Sequence, residues 1–394
     1  MTAALYIHIP FCAKKCDYCD FYSIPVDVEA DGKFIDGFFD KLCRDISRQL
    51  KSFRVSGISS VYIGGGTPSL PGPARMRRLL DFLRPLLAEM GGCGEFTVEA
   101  NPESLDEDFL RVCAEGGVTR ISCGIQSFDS NARHALGRQG EVSALHSALS
   151  LLAGIYQGAF SADLISALPG QDEASLLGDI ETLLPYGPAH ISLYDLTLEE
   201  NTPLHKNVML GCVALPPPEK AENLWIAGRD LLEAKGYAQY EVSNFAKSGG
   251  RCLHNLVYWR MGCWLGAGPS ASGTVIYETP DGVYGERRVT EPCAVRYASE
   301  ADARFFVERL DRGALIKESF LMGFRCTCGP DGNLFKKRFN RPVESLAPET
   351  FRLWRERGLM SEDAAALNSE GLLLLNRFLT DCFLEMDKSP GVFL

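Results

Sequence analysis

Residues 4–19 read Ala4-Leu-Tyr-Ile-His-Ile-Pro-Phe-Cys12-Ala-Lys-Lys-Cys16-Asp-Tyr-Cys19. The apolar start of this stretch predicts a buried β-strand, and the three cysteines that follow predict a loop that wraps around a metal centre. Cubane iron–sulfur clusters normally take four cysteine thiolates. Since this loop offers three, a [4Fe-4S] cluster bound by Cys12, Cys16 and Cys19 would keep one iron with an open coordination position. The alternatives are a zinc site with a fourth ligand from elsewhere and three unconnected core thiols.

The chain after this loop repeats a strand-then-helix pattern. Short apolar runs rich in β-branched and aromatic residues alternate with amphipathic helical segments, which is typical of βα units and a parallel sheet. Parallel strands joined by right-handed crossovers curl into a barrel, and six units rather than eight predict an open, partial (β/α)6 barrel of the α/β class. The predicted strands lie at residues 4–9, 60–63, 95–99, 119–125, 160–165 and 190–196.

The character of the sequence changes after this repeat. Three prolines at 216–218 interrupt the pattern, and a helix is predicted from about residue 219 to 235, where Gly236 ends it. A glycine-rich stretch follows at 249–273, and mostly helical segments, among them 305–310 and 348–357, come after residue 300. We predict a barrel core at 1–236, an extension at 237–299, and a small, mainly helical domain at 300–394 with a short β-ribbon and a winged-helix-like arrangement.

Composition and charge exclude several function classes. The net charge of −11 provides no positive field for phosphate backbones, so we expect no nucleic-acid partner. The chain shows no basic leader and no run of about 18 apolar residues, so we expect a soluble, cytoplasmic protein. Its fourteen cysteines are scattered through a long chain, which favours metal or core roles over a disulfide framework. We interpret the pair Cys326 and Cys328 as structural or incidental.

Unusual residues stand near the predicted strand ends where parallel barrels gather their ligands. The run Gly64-Gly-Gly-Thr-Pro68 allows the backbone to approach a ligand closely, although a tight turn explains a glycine triplet equally well. Asp163 lies inside an apolar strand, where a charge is costly to bury without a partner. Glu99 ends the third strand and Gln126 follows the fourth. Arg138 lies further on, where a solvated surface arginine is the alternative.

These segments together resemble the HemN/HemW group of radical S-adenosylmethionine (SAM) proteins over about residues 4–275. The resemblance implies a radical SAM barrel with a [4Fe-4S] cluster, whose open iron SAM chelates through its amino and carboxylate groups. Besides the CxxxCxxC motif, it rests on Tyr6-Ile-His-Ile-Pro-Phe-Cys12, Gly64-Gly-Gly-Thr-Pro68, Glu99-Ala-Asn-Pro102, Gly124-Ile-Gln-Ser-Phe128, Asp163-Leu-Ile and Leu168-Pro-Gly-Gln171. The contacts to SAM that it implies come from the backbone of Tyr18 and from Tyr6, Gly66, Thr67, Glu99, Gln126, Arg138 and Asp163.

Two features distinguish branches within that group. In the HemN branch, the oxygen-independent coproporphyrinogen III dehydrogenases, the motif continues to CxxxCxxCxC, whereas Phe21 stands at the place of the extra cysteine here. The segment His254-Asn-Leu-Val-Tyr-Trp259 resembles the HNxxYW motif of the HemW branch, whose histidine is associated with heme binding. Both features favour the HemW branch. From the residues alone, His254 is either a ligand beside a flat aromatic molecule or a packed core histidine, and Cys252 is a competing heme ligand.

The resemblance implies a heme chaperone that binds heme and transfers it to acceptor hemoproteins. The alternative is decarboxylation of coproporphyrinogen III to protoporphyrinogen IX, and a SAM radical enzyme with another substrate is a third hypothesis, so enzymatic activity stays open. The implied partners are heme, acceptor hemoproteins and an electron donor such as flavodoxin or ferredoxin. Transient membrane association and a homodimer also stay open. Gly140 and Ser272 depart from the pattern, because relatives often carry histidine near these positions.

Overall fold

A mixed sheet of twelve strands organises the protein in its computed structural model, which describes residues 1–138 and 140–388. A separate ribbon of two short strands flanks the cysteine loop. The strands are β1 (Thr2–Ile9), β2 (Phe11–Cys12), β3 (Ile24–Pro25), β4 (Gly57–Gly65), β5 (Glu95–Ala100), β6 (Arg120–Gln126), β7 (Ala159–Ser166), β8 (His190–Asp195), β9 (Ala238–Glu241), β10 (Asn244–Ala246), β11 (Trp264–Ala267), β12 (Ser272–Thr279), β13 (Gly282–Thr290) and β14 (Phe305–Leu310).

Helices connect the parallel strands and form most of the last part of the chain. Within the described residues, none of them has both the length and the apolar character that a membrane crossing requires. The helices are α1 (Gly32–Ser52), α2 (Pro73–Glu89), α3 (Glu107–Glu115), α4 (Ser130–Ala135), α5 (Val142–Gly154), α6 (Glu173–Leu183), α7 (Pro203–Met209), α8 (Pro218–Ala234), α9 (Leu253–Trp259), α10 (Ala294–Ser299), α11 (Arg312–Gly323), α12 (Gly332–Phe339), α13 (Pro348–Glu356), α14 (Ser369–Leu373) and α15 (Leu375–Lys388).

The sheet order is β14-β13-β12-β11-β1-β4-β5-β6-β7-β8-β10-β9. Strands β1 and β4 to β8 pair in parallel and in chain order, as the six predicted βα units require. β11 adds a further parallel strand beside β1, and antiparallel strands extend the sheet on both sides. The predicted α/β class is confirmed, and the strand order is that of an open sheet with β14 and β9 as its edges.

The crossover helices form because each presents one apolar face to the sheet. In α1 one apolar face is buried, with Phe38 and Ile46 fully inaccessible to solvent. At the start of α3, the Asp106 carboxylate accepts from Phe109 N and caps the helix. Gly236 follows the end of α8 with a φ of +83°, which is the glycine stop that the sequence predicts.

Residues 305–310 form a strand, so the helix expected there is wrong. Phe305, Phe306 and Val307 are aromatic or β-branched residues that favour strands. β14 pairs antiparallel with residues 285–290 of β13, and this backbone pairing outweighs the helical interpretation. The large sheet therefore extends past the expected boundary at residue 300.

A second apolar core lies beneath α11 to α15. Phe324 is central to it, with its ring centroid 4.7 Å from that of Phe378 in an edge-to-face contact. Within residues 300–388, Met360 and Leu367 form an isolated antiparallel β-bridge, and the short β-ribbon stays a prediction. The division of the chain at residues 236 and 299 and the winged-helix likeness stay predictions.

The carboxyl ends of the parallel strands meet at one edge of the sheet. β1 ends at Ile9, just before the cysteine loop, and β4 ends at Gly65 inside the glycine run. β5, β6 and β7 bring Glu99, Gln126 and Asp163 to the same edge. The candidate site lies there because these strands are neighbours in the sheet.

Candidate metal centre and ligand cavity

The loop that carries the three cysteines is anchored at its ends and in its middle. Val26 N donates to the Cys12 carbonyl at 3.0 Å, and the ribbon of β2 and β3 returns the chain to where the loop began. In the middle, Asp17 N donates to the Leu136 carbonyl at 2.9 Å, and the Asp17 carbonyl accepts from Leu204 N at 2.8 Å. The loop is thereby held against α4 and α7.

The three thiols of the loop are partly buried, and they line one cavity of about 130 Å³. Cys12 Sγ lies 3.6 Å from Thr67 Oγ1, and the Arg138 guanidinium lies 3.8 Å from Cys16 Sγ. Burial raises the pKa of Cys12 and raises the pKa of Cys19 to about 11. In the described part of the chain, no three His, Cys, Asp or Glu side chains are arranged to hold a single metal ion. Cluster ligation by the three thiols stays a prediction from their spacing.

The glycine run after β4 brings the backbone against the cysteine loop. Gly66 N donates to the Ile9 carbonyl, and Thr67 N donates to the Phe11 carbonyl, both at 2.8 Å. A Cβ on Gly66 would lie 2.7 Å from the Phe11 carbonyl oxygen, so only glycine fits there. Thr67 Oγ1 also accepts from Asn101 Nδ2 at 3.0 Å. The run is thus a close approach between two backbone segments and not only a tight turn.

Two carboxylates, Glu99 and Asp163, face the same cavity. Glu99 accepts from the Tyr62 hydroxyl at 2.7 Å and from Gly65 N at 3.0 Å, and Asp163 accepts from Ser192. Burial raises the pKa of Glu99 to about 7, to which the charge of Asp163 contributes, and raises the pKa of Asp163 to about 6. Burial and like-charge repulsion both disfavour the ionised forms. The pair is therefore suited to a ligand that brings positive charge.

Gln126 stands at a bulge in β6 with a φ of +70°, and the bulge re-aims its side chain towards the cavity. Two buried side chains hold this turn in place. Arg133 donates to the carbonyl that precedes Gln126 at 2.9 Å. Asp179 accepts from the Ser127 hydroxyl at 2.6 Å and from Phe128 N at 2.8 Å. The left-handed conformation of Gln126 is stabilised by these contacts.

Arg138 is half-buried at the cavity wall, so the solvated surface arginine considered as an alternative is excluded. Its guanidinium donates to the Gly124 carbonyl at 2.6 Å and lies 3.4 Å from Asn101 Oδ1. Its Nε is buried and has no partner in the described part of the chain. An unpaired buried donor beside a cavity suits a ligand carboxylate. Asn101 was missed as a site residue, although it lies inside the quoted Glu99-Ala-Asn-Pro102 segment.

The two predicted tyrosines differ in position. Tyr18 lines the cavity between the second and third cysteines. The Tyr6 hydroxyl lies 3.0 Å from His8 Nδ1, and the Tyr6 ring centroid lies 6.2 Å from that of Tyr62. Tyr6 therefore supports the wall through its neighbours, and a direct contact between Tyr6 and a ligand stays a prediction.

A larger cavity of about 490 Å³ shares lining residues with the first. Tyr18, Glu99, Gln126 and Asp163 line both spaces. Its size falls within the range of about 300–1,000 Å³ that is typical of small-molecule sites. Several polar residues in its wall were not predicted as site residues, although they alternate along predicted strands. They include Tyr62, Thr97, Ser122, Ser161, Ser192 and Tyr194.

Comparison with known proteins relates this chain to a family. Residues 6–183 match the model of the radical SAM superfamily. The chain is 30% identical to heme chaperone HemW of Bacillus subtilis over 94% of this chain and 96% of that protein. It is 37% identical to heme chaperone HemW of Escherichia coli over 71% of each chain. The chain belongs to the HemW family.

Two further relatives extend this comparison. The mitochondrial radical S-adenosyl methionine domain-containing protein 1 of Bos taurus is 33% identical over 95% of this chain and 82% of that protein. The solved structure of coproporphyrinogen III oxidase (HemN) from Escherichia coli matches 97% of this chain and 89% of its own with a TM-score of 0.75, at 20% identity. The second likeness shows that HemN and this HemW-family protein share a fold.

His254 of this HemW-family protein lies in α9 and is buried. Its Nδ1 lies 2.8 Å from Ser60 Oγ, and its Nε2 lies 2.7 Å from the Tyr258 hydroxyl. Its ring centroid lies 5.1 Å from that of Tyr62. Burial lowers the pKa of His254 to about 3. Both ring nitrogens have protein partners in this conformation, and heme ligation by His254 stays a prediction.

Three residues at which the sequence departs from related proteins are Phe21, Gly140 and Ser272. Phe21 is 70% exposed and lines both cavities. Gly140 has a φ of +84°, and a Cβ there would lie 2.4 Å from Glu103 Cγ, so a histidine at this position would require a local rearrangement. Ser272 begins β12, and its carbonyl accepts from Trp264 Nε1 at 3.1 Å.

Proposed function

We propose that this HemW-family protein is a heme chaperone, which binds heme, transfers it to acceptor hemoproteins and carries a [4Fe-4S] cluster with SAM. The observation that carries the proposal is the 30% identity to heme chaperone HemW of Bacillus subtilis over 94% of the chain. This similarity extends far beyond the radical SAM segment at residues 6–183. It therefore concerns the later part of the protein as well, where the His254 segment lies.

The cysteine loop and the two adjoining cavities, which share Glu99, Gln126 and Asp163 as lining residues, suit a cluster with SAM at its open iron. When bound, this pair of cofactors supplies one-electron chemistry. We infer that the three loop cysteines hold the cluster. Glu99 and Asp163 would offset the positive sulfonium charge, and Arg138 would donate to the SAM carboxylate. The raised pKa values of the two carboxyl groups and the unpaired Arg138 Nε support these roles. The contacts inferred for Tyr6, Tyr18, Gly66, Thr67 and Gln126 complete the site.

Heme binding through His254 requires a local rearrangement of α9. Imidazole is a common axial ligand of heme iron, but it must present a free nitrogen. His254 Nε2 is occupied by the Tyr258 hydroxyl, so Tyr258 would have to turn away. The competing ligand Cys252 is also buried, and burial with the nearby Glu95 charge raises the pKa of its thiol. A neutral imidazole is therefore the better candidate of the two.

Coproporphyrinogen III dehydrogenation is the second candidate, and the larger cavity favours it. That cavity borders the carboxylates of the inferred SAM site, as a substrate space would. Phe21 opposes this candidate because it occupies the place where the dehydrogenase branch has a further cysteine. We infer that the cavity is retained from the shared fold and that decarboxylation does not take place at a meaningful rate.

One anaerobic experiment distinguishes the two functions. The full chain is reconstituted with iron and sulfide, and parallel samples receive heme or coproporphyrinogen III together with SAM and a reductant. We expect the protein to show the Soret absorption of bound heme and to transfer this heme to added apomyoglobin. We expect product analysis to detect no protoporphyrinogen IX. Cys12→Ser, Cys16→Ser and Cys19→Ser should each lose the cluster signal in electron paramagnetic resonance. Formation of protoporphyrinogen IX would reassign the protein to the dehydrogenases.

We further propose the cellular setting. Heme and acceptor hemoproteins are the main partners, and a flavodoxin- or ferredoxin-type protein is the electron donor. The protein is cytoplasmic, with transient membrane association and a homodimer as states that depend on cluster or heme loading. Sedimentation of the protein with and without its cluster, and flotation with lipid vesicles, test the last two. A single monomeric species that never floats with vesicles would contradict both.

A further inference from the structure

Two cysteines lie outside the proposed heme and SAM sites, in the turn between α11 and α12. Cys326 is buried, Cys328 is exposed, and both are free. The Cys326 carbonyl accepts from Gly329 N at 2.9 Å, so residues 326–329 form a turn with the cysteines at its first and third positions. Two residues separated by a single residue are at most about 7 Å apart when the chain is extended. The turn brings their α-carbons closer, towards the range of about 4.4–6.8 Å that a disulfide spans.

Neighbouring backbone holds this turn firmly. Thr327 N donates to the Tyr240 carbonyl at 3.2 Å, and Val242 N donates to the Arg325 carbonyl at 3.0 Å. Gly329 has a φ of +67°, and a Cβ there would lie 2.0 Å from a carbonyl oxygen of residue 365. The two thiols are therefore kept adjacent by contacts that do not involve sulfur, whatever their oxidation state.

The two thiols differ in reactivity because Cys326 is buried and Cys328 is exposed, and because each changes the pKa of the other. The interaction between the two neighbouring thiols lowers the pKa of Cys328 and raises the pKa of Cys326, and Cys328 Sγ lies 3.6 Å from the Gly329 carbonyl oxygen. Positive charge from Arg260 and Arg251 lowers the pKa of Cys328 further. Cys326 packs with Leu256 in an apolar cluster, which shields it from solutes. Cys328, the exposed thiol, is thus the nucleophile, and Cys326, the buried thiol, is the resolving cysteine.

We propose that Cys326 and Cys328 are a redox-active dithiol that exchanges with small anionic disulfides of the glutathione type. The Cys328 thiolate attacks one sulfur of the small disulfide, forms a mixed disulfide and releases one small thiolate. The Cys326 sulfur then attacks the Cys328 sulfur, and the second small thiol leaves with the Cys326 proton. The protein dithiol loses two electrons, and the small disulfide gains them. Arg260 and Arg251 attract the anionic reagent. This site is separate from the cluster cavity, and the proposal does not depend on the proposed function.

Mass spectrometry of the full-length, cluster-loaded protein tests the dithiol. Oxidised glutathione is added without oxygen, free thiols are alkylated, and trypsin cuts after Arg325 and Lys336 so that both cysteines fall on one peptide. We expect this peptide to lose two hydrogen atoms and to retain no glutathione. In Cys326→Ser, and in Cys326→Ala as a second variant, the reaction should stop with glutathione attached to Cys328. The exposed Cys212 serves as the matched control and should react at least about tenfold more slowly.

Two results would overturn the proposal. One is a peptide that stays a dithiol while Cys212 becomes glutathionylated, because Cys328 would then have no special reactivity. The other is a wild-type protein that stalls as the mixed disulfide, because Cys326 would then not resolve it. Arg260→Gln tests the charge argument: it should slow reaction with oxidised glutathione several-fold and leave reaction with the neutral 2-hydroxyethyl disulfide nearly unchanged. Equal slowing with both reagents would remove the anionic preference from the proposal.

Discussion

Replacing Glu99 by glutamine should stabilise the SAM-free protein at neutral pH while weakening SAM binding. The Glu99 carboxyl has a pKa of about 7 in the folded protein, against an ordinary value of 4.5, because it is buried near Asp163. In the variant, the amide oxygen accepts from Gly65 N and the amide N–H donates to the Tyr62 hydroxyl, so both hydrogen bonds persist. The substitution therefore removes the charge and little else.

The stability difference has a defined dependence on pH. Since the folded pKa is raised, the unfolded chain ionises first, and wild-type Glu99 loses stability as the pH rises from about 4.5 to about 7. That separation of about 2.5 in pKa corresponds to at most about 3.5 kcal/mol. Because the carboxylate faces a cavity that solvent can enter, we expect about 1–2 kcal/mol. The Glu99→Gln variant should match wild type near pH 4.5 and exceed it by this amount at pH 8.

Thermal unfolding of the cluster-loaded, SAM-free proteins at pH 5 and pH 8 measures this difference, with Glu222→Gln on the exposed face of α8 as the control. Titration with SAM and with S-adenosylhomocysteine, which lacks the sulfonium charge, measures the functional cost. Affinity for SAM should fall about tenfold or more, and affinity for the uncharged analogue should fall less. A variant less stable than wild type at pH 8, or one that loses both ligands equally, would refute the electrostatic role of Glu99.

Three other substitutions address the rest of the site. Asp179→Ala should release the bulge at Gln126 and lower SAM affinity several-fold with an unchanged cluster spectrum; equal affinity in calorimetry would show that Asp179 has no positioning role. His254→Ala should weaken heme binding or shift the Soret band, whereas unaltered spectra and affinity would exclude His254 as the ligand. Burial lowers the pKa of His190 to about 3, so the unfolded chain binds protons first, and His190 costs stability as the pH falls below about 6.5. The melting temperature of His190→Gln should therefore fall less than that of wild type between pH 7 and pH 5. Equal decreases in melting temperature would contradict a buried, neutral His190.

The parts of the site that the sequence predicts are those set by strand ends. Glu99, Gln126 and Asp163 are distant in the chain, but parallel neighbours bring their carboxyl ends to one edge, so identifying the strands is enough to bring these side chains together. The cysteine loop follows from spacing within eight residues. Local pattern suffices in both cases because the repeat of βα units supplies the long-range geometry.

Contacts that depend on non-local partners could not be predicted in this way. Asp179 reaches the Gln126 turn from α6, and nothing in its own helix marks it as a positioning residue. Arg138 is half-buried because the cysteine loop and the β6 edge cover it. Residues 305–310 are a strand because they pair with the edge of β13. The secondary-structure propensity of this segment alone does not reveal that partner.

The burial of His254 bears on how heme and SAM binding would relate. Tyr62 lies between the two regions: its ring centroid lies 5.1 Å from that of His254, and its hydroxyl donates to Glu99 at 2.7 Å. A rearrangement of α9 that shifts His254 towards heme iron would change the packing on Tyr62. The hydrogen bond from Tyr62, which favours the ionised form of Glu99, depends on the position of the Tyr62 ring. Heme at His254 and SAM at Glu99 would then share one side chain, and each ligand would change the affinity for the other by the same factor. Heme bound elsewhere on the protein would leave Tyr62 in place and SAM affinity unaltered, so the linkage itself distinguishes the two locations.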